Sequence, residues 1–204
     1  MEYTTISIGE TQIYISEVVQ NEDLLLQLYQ LSENEKLTLE KYHNNRHRLQ
    51  WLSYRLLLKN VLQEDFIIDY QPNGKPILRH PKKNISISHS FDYVAVALSN
   101  HAIGIDIEKQ SSRILKLKTK IANEKEQQKW DMQDYRILHI IWGIKEAIYK
   151  KMDYPIKNYL TEITVTNIDF NQQTAQAEVQ TVDSKKMITL SFCDYNNYML
   201  VIAL

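Results

Sequence analysis

Twice along this 204-residue chain, a short alternating run leads into a long stretch rich in helix formers, and that stretch gives way to four short alternating runs. The duplicated order limits the fold more than any single residue does, because alternation with a period of two marks half-buried strands. In the first half, Thr4 to Ile8 and Gln12 to Glu17 read as strands, and Asn21 to about Leu62 reads as helices with a break and cap near Ser32. Runs at Phe66–Tyr70 and Pro76–Arg79 flank Asn73-Gly74, a dipeptide suited to a tight hairpin turn, which puts Lys75 at the hairpin rim. Ile85/Ile87 and Val94/Val96/Leu98 continue as a meander. In the second half, a strand at Ile103 is followed by helical sequence from about Leu115 to Met152 and by four runs between Thr161 and Leu204. The expected fold class is α+β: a pseudo-dimer of two similar α/β halves, residues 1–102 and 103–204, each with an antiparallel sheet and packed helices.

Only four glycines and four prolines occur and none cluster, so no flexible linker separates the halves. A cleft between them is the expected binding site. Basic and acidic residues balance at 24 and 25, which gives no general attraction to nucleic acid or an anionic membrane. The one cysteine, Cys193, lies in an alternating run and excludes an internal disulfide. The start of the chain lacks a basic segment followed by an apolar one, and no apolar run approaches the roughly 20 residues of a spanning helix. A soluble, cytoplasmic protein is expected.

Two segments carry candidate chemistry. In Ile103 to Glu108 the period of two sets three isoleucines on one face and Gly104, Asp106 and Glu108 on the other, with the carboxylates' Cα atoms roughly 6.5 Å apart. Both could reach one hard cation; a half-exposed strand with an acidic outer face would look the same. In the helix from Tyr135 to Met152, Ile137, Ile140, Ile141, Ile144 and Ile148 form an apolar stripe, leaving Glu146 and Lys150 on the opposite side. Such a pair is ordinarily a solvent-facing contact worth about 0.2–0.5 kcal/mol. Trp142, one turn before Glu146, argues that this face is covered. If the acidic strand covers it, three carboxylates and a lysine converge, and Mg²⁺ suits them better than zinc because no His or Cys shares the spacing. His89, ending the run Ile85–Ser90, is a candidate phosphate ligand or base, or merely a residue at a strand end. A serine-hydrolase elbow and Gly-rich phosphate loops are both absent.

GIDIEK at 104–109 and WGIKEAIYK at 142–150 resemble the two signature motifs of the 4′-phosphopantetheinyl transferase superfamily. NGKP at 73–76 and ISISHS at 85–90 resemble upstream coenzyme A motifs of its longer, monomeric branch, the surfactin-synthetase-activating type, so the likeness runs from about residue 46 to 150. The resemblance implies transfer of phosphopantetheine from coenzyme A to a serine of an acyl or peptidyl carrier protein. It implies Mg²⁺ held by Asp106, Glu108 and Glu146, with Lys150 neutralising charge on the transferred phosphate and Asp106, Glu146 and Lys150 as the catalytic set. Glu146 is also the candidate base, acting directly or through water. Lys75, Ser88, His89, Arg48 and Lys145 would bind the nucleotide, with Arg46 and Arg55 as alternatives to Arg48. Gly143 departs from the motif, where a small polar residue is commoner. The basic segment Lys109, Arg113, Lys116, Lys118 and Lys120, interleaved with Ile114, Leu115 and Leu117, is either a carrier-docking surface or a solvated helix face. Alternatives are a Mg²⁺-dependent phosphodiester hydrolase and a coenzyme A-binding module without turnover; Asp106, Glu108, Glu146 and Lys150 are all present, which disfavours the module.

Overall fold

A computed structural model of the chain describes residues 1–153, 156–181 and 184–204. It is a mixed α+β protein with antiparallel sheets, divided into two compact units, Met1–Asn100 and His101–Leu204.

The first unit begins with the hairpin β1 (Thr4–Ile8) and β2 (Thr11–Glu17). Three helices follow: α1 (Glu22–Leu28), α2 (Glu33–Glu40) and α3 (Asn45–Leu62). Ser32 does cap α2: its hydroxyl accepts from the Glu35 N–H, and the Glu35 carboxylate accepts from the Ser32 N–H, a reciprocal capping box. Strands β3 (Ile67–Tyr70) and β4 (Pro76–His80) form the expected hairpin, although residues 71–75 make a longer loop than a two-residue turn, with Gln71 N–H donating to the Lys75 carbonyl. Strands β5 (Asn84–Ser90) and β6 (Tyr93–Ser99) complete a sheet of order β1-β2-β6-β5. Helix α3 packs across β6 and β2, burying Leu52, Leu57 and Leu58 completely beside Val94 and Val96.

The second unit opens with β7 (Gly104–Lys109), a 3₁₀ turn (Ser112–Leu117) and the short helices α4 (Lys118–Ile121) and α5 (Glu124–Lys129). The long helix α6 (Tyr135–Lys151) and one-turn α7 (Tyr159–Glu162) come next. Strands β8 (Ile163–Asp169), β9 (Thr174–Gln180), β10 (Lys185–Tyr195) and β11 (Tyr198–Ala203) give the order β7-β11-β10-β9-β8. The helical sequence read from about Leu115 to Met152 thus divides into a 3₁₀ turn and three separate helices. Asn123 starts a new helix through a capping box with Glu126, and Asp134 caps α6 by accepting from the Arg136 N–H. In the second unit β8–β11 form a meander whose last strand pairs antiparallel with β7; in the first, β3–β4 form a separate two-stranded sheet, and it is the β5–β6 pair that joins β2, through β6 antiparallel to it.

The isoleucine stripe of α6 is buried against the second sheet, as its spacing predicts. Two glycines let the helix approach. A Cβ on Gly104 would lie 1.9 Å from the Ala147 carbonyl oxygen and 2.6 Å from the Lys151 nitrogen, both main-chain atoms of α6. A Cβ on Gly143 would lie 2.6 Å from Val201 Cγ2 of β11. The departure at Gly143 thus has a packing reason, beyond its effect on helix propensity. Because backbone cannot rotate out of the way, Gly104→Ala should lose stability at or above the upper end of the ~1–3 kcal/mol typical of overpacked cores. Thermal denaturation checks this, and an unchanged midpoint would contradict the packing.

Candidate active site

Strand β7 packs along the flank of α6 that carries Gly143, Ala147 and Lys150. Asp106, near the middle of β7 and paired in register with Val201, is 5% exposed. Its Oδ1 accepts from Lys150 Nζ at 2.8 Å, and the same ammonium donates to the Ile105 carbonyl at 3.0 Å. Lys150 therefore ties the last turn of α6 to the acidic strand. Glu146, one turn earlier, is half-buried. Burial pushes its carboxyl above the ordinary glutamate range, and the Asp106 carboxylate pushes it the same way. Lys150 and a hydrogen bond from the Tyr159 hydroxyl oppose that shift. Glu108, two residues beyond Asp106 on the same face of β7, is half-buried opposite Met199.

The structure thus brings Asp106, Glu146 and Lys150 together within one unit. Trp142 is covered, as expected, but its cover is Tyr159 of α7 and not the strand: the two rings meet edge-to-face with centroids 5.9 Å apart. The spacing of the motifs pointed to the carboxylates and the lysine. It missed Tyr159, which follows the helix and belongs to neither motif.

Among the described residues no group of three or more His, Cys, Asp or Glu side chains stands ready to hold a metal ion. The donors fit a hard cation nonetheless, since Mg²⁺ is ordinarily held by one or two carboxylates and completed by water and phosphate oxygens. Asp106, buried, and Glu146, half-buried, supply such a pair, with the charge of the first acting against that of the second.

Lys145 stands elsewhere than the resemblance implies. Its side chain is wholly buried, donating to Glu126 Oε2 at 2.7 Å and to the Ile121 carbonyl at 2.8 Å. Glu126, equally buried, also accepts from the main-chain N–H groups of Asn123 and Val165 at 2.7 Å each. This pair joins α5, α6 and β8; it holds the helix in place and offers no ammonium to a ligand. His139 works similarly: its buried Nε2 accepts from the Ser111 N–H at 2.9 Å, fixing the segment after β7, and burial lowers its pKa.

In the first unit, Ser88 and His89 lie on β5, the serine buried and the imidazole exposed, while Lys75 is half-buried where β4 begins. Arg48 is not presented as expected. Its guanidinium makes a two-pronged pair with Glu22 of α1, and its remaining nitrogen donates to the Leu39 carbonyl at 2.8 Å. Arg55 is 3% exposed, bonded to Glu35 and Tyr54 and stacked 3.7 Å from the Trp51 ring centroid. Of the three arginines, Arg46 is the exposed one, poised over Phe91.

Beyond β7, Arg113, Lys116 and Lys120 are exposed around Leu117, which is 45% exposed. Ile114 and Leu115 turn inward to the unit's own core. No helix among the described residues is long and apolar enough to cross a membrane.

Two kinds of comparison bear on this arrangement. Residues 102–203, half of the chain and the whole of the segment carrying Asp106, Glu146 and Lys150, match the family model described as the 4′-phosphopantetheinyl transferase superfamily. The chain is 30% identical over 145 residues to 4′-phosphopantetheinyl transferase gsp of Aneurinibacillus migulanus, covering 67% of this chain and 57% of that protein. It is 29% identical over 117 residues to 4′-phosphopantetheinyl transferase psf-1 of Bacillus pumilus, covering 54% and 50%. The chain spans about half the length of these curated relatives. With the family model falling on the strand and helix that assemble the carboxylates and lysine, the chain belongs to the 4′-phosphopantetheinyl transferase superfamily.

Proposed function

We propose that this protein transfers 4′-phosphopantetheine from coenzyme A to a serine of an apo acyl or peptidyl carrier protein, releasing adenosine 3′,5′-bisphosphate. The observation that carries the proposal is the convergence of Asp106, Glu146 and Lys150, within the segment that matches the family. In the reaction, the serine oxygen forms a bond to the phosphorus bearing pantetheine, and the bond from that phosphorus to the bridging pyrophosphate oxygen breaks. The departing bisphosphate keeps that electron pair.

Glu146 is suited to take the serine proton, because burial and a neighbouring carboxylate raise its affinity for one. Lys150 lies close enough to Asp106 to set its cationic charge beside a phosphoryl group held there. Asp106 and Glu146, with Glu108 beside them, would hold Mg²⁺, which when bound neutralises pyrophosphate charge. Lys75, Ser88 and His89 in the first unit are the proposed nucleotide contacts. The exposed cations at Arg113, Lys116 and Lys120, around Leu117, suit an acidic carrier surface with one apolar anchor.

Chromatography of the reaction products tests the proposal. Release of adenosine 3′,5′-bisphosphate should require apo carrier protein. Equal release without carrier would make the protein a hydrolase instead.

A further inference from the structure

We propose that Tyr70 is a positioning residue for Lys75, fixing the loop that carries this lysine against a buried arginine network on α3. The role rests on the proposed use of Lys75 as a nucleotide contact. Strands β3 and β4 form a two-stranded sheet of their own, outside the four-stranded sheet of the first unit. A two-stranded hairpin is only marginally stable by itself, so the direction of its tip depends on what its side chains hold. The tip is a closed body. Tyr70 pairs with Pro76 across the hairpin, Gln71 N–H donates to the Lys75 carbonyl at 2.9 Å, and Gly74 N–H donates to the Gln71 carbonyl at 2.8 Å. Lys75 N–H donates in turn to Asn73 Oδ1 at 3.1 Å, so the lysine moves with Tyr70.

The Tyr70 hydroxyl reaches α3. It lies 2.7 Å from the hydroxyl of buried Tyr54 and accepts from Arg55 Nη1 at 3.3 Å. The same Nη1 donates to the Tyr54 hydroxyl at 2.6 Å, while Arg55 Nε donates to Glu35 Oε1 at 3.0 Å. Glu35 Oε1 also accepts from the Tyr29 hydroxyl at 2.7 Å, and the guanidinium is stacked on Trp51, so Arg55 is held from α2 and from its own helix. Arg55 therefore serves nucleotide binding at second hand: it fixes Tyr70, and Tyr70 fixes the tip. Tyr70 itself is exposed, and without its hydroxyl Arg55 stays bonded to Tyr54 and Glu35. Cutting this tether strands no buried charge.

The test is a double-mutant cycle on the intact protein, with adenosine 3′,5′-bisphosphate as the probe and calorimetric titration as the readout. Tyr70→Phe should weaken binding of the bisphosphate about 3- to 10-fold, the worth of one lost hydrogen bond, and raise KM for coenzyme A by a similar factor. kcat at saturating coenzyme A, KM for the carrier and the thermal midpoint should stay unchanged. Lys75→Ala should weaken the bisphosphate as well, and in that background Tyr70→Phe should add less than about 2-fold, because its effect passes through the lysine. Binding unaltered by Tyr70→Phe, or effects of the two substitutions that add in full, would overturn the role of Tyr70 alone. Binding unaltered by Lys75→Ala would overturn it together with the lysine contact. A wild-type protein that binds neither the bisphosphate nor coenzyme A would overturn the functional proposal along with it. A thermal midpoint that collapses in Tyr70→Phe would reassign Tyr70 to a structural role.

Discussion

Glu146→Gln should lower the rate of phosphopantetheine transfer by about 10²–10⁴-fold, the range associated with losing a positioned proton acceptor. The substitution preserves shape, and the amide oxygen can still accept from the Tyr159 hydroxyl, so packing beneath Trp142 and Tyr149 has no reason to change. Stability should move the other way. A carboxyl whose folded-state pKa is raised binds its proton more readily in the folded chain than in the unfolded one. Its ionisation therefore opposes folding above the unfolded pKa, and stability falls as pH rises through the two values. A neutral amide removes that opposition, so the variant should melt at or slightly above the wild-type temperature at neutral pH. Loss of activity without loss of stability separates a functional carboxylate from a structural one. Near-normal turnover by the variant would remove Glu146 from the chemistry.

Lys145→Met is the second large effect, and it acts on the fold. Removing the ammonium leaves the Glu126 carboxylate fully buried with only two main-chain donors, and leaves the Ile121 carbonyl without its lysine. Breaking one partner of a buried pair costs about 3–5 kcal/mol, because the remaining charge is stranded. Adding Glu126→Gln should restore part of the loss, since it removes the buried charge, although the amide's single oxygen can accept from only one of the Asn123 and Val165 N–H groups, which donate to different oxygens of Glu126. Urea denaturation of both singles and the double closes the cycle. A loss under about 1 kcal/mol for Lys145→Met, within the range of exposed pairs, would contradict the burial of this pair. Since the pair joins α5 and β8 to the helix carrying Glu146, the single variant should also lose activity, through misplacement of that helix.

What was legible in the chain follows from how local the signal is. The isoleucine stripe of α6 and the alternation in Gly104–Glu108 announce their elements because each pattern is contained within one helix or one strand. Trp142, a large ring on a face that would otherwise be wet, announced that this side of α6 is covered, but its cover is Tyr159 and not β7. The breaks in the second helical stretch were present too: Asn123 with Glu126 is a capping pair, and Asp134 a helix-starting residue, both overlooked within a continuously polar and helix-prone sequence.

Long-range pairings were not legible. Lys145 finds Glu126 nineteen positions earlier, and Arg48 finds Glu22 twenty-six positions earlier, each through intervening turns that no periodicity encodes. A lysine inside a motif reads as a ligand for phosphate until its burial is seen. Tyr159 reaches Glu146 only because the chain turns back after α6, so its place beside the carboxylate rests on tertiary structure.

The central claim is that Asp106, Glu146 and Lys150 form the centre of a phosphopantetheine transfer site. Its most direct test is the intact mass of an apo acyl carrier protein after incubation with this protein, coenzyme A and Mg²⁺. The expected result is a gain of one phosphopantetheinyl group on the carrier, abolished by EDTA and reduced at least 10²-fold in rate with Glu146→Gln. An unmodified carrier across acyl and peptidyl types, with coenzyme A still bound by the protein, would contradict it.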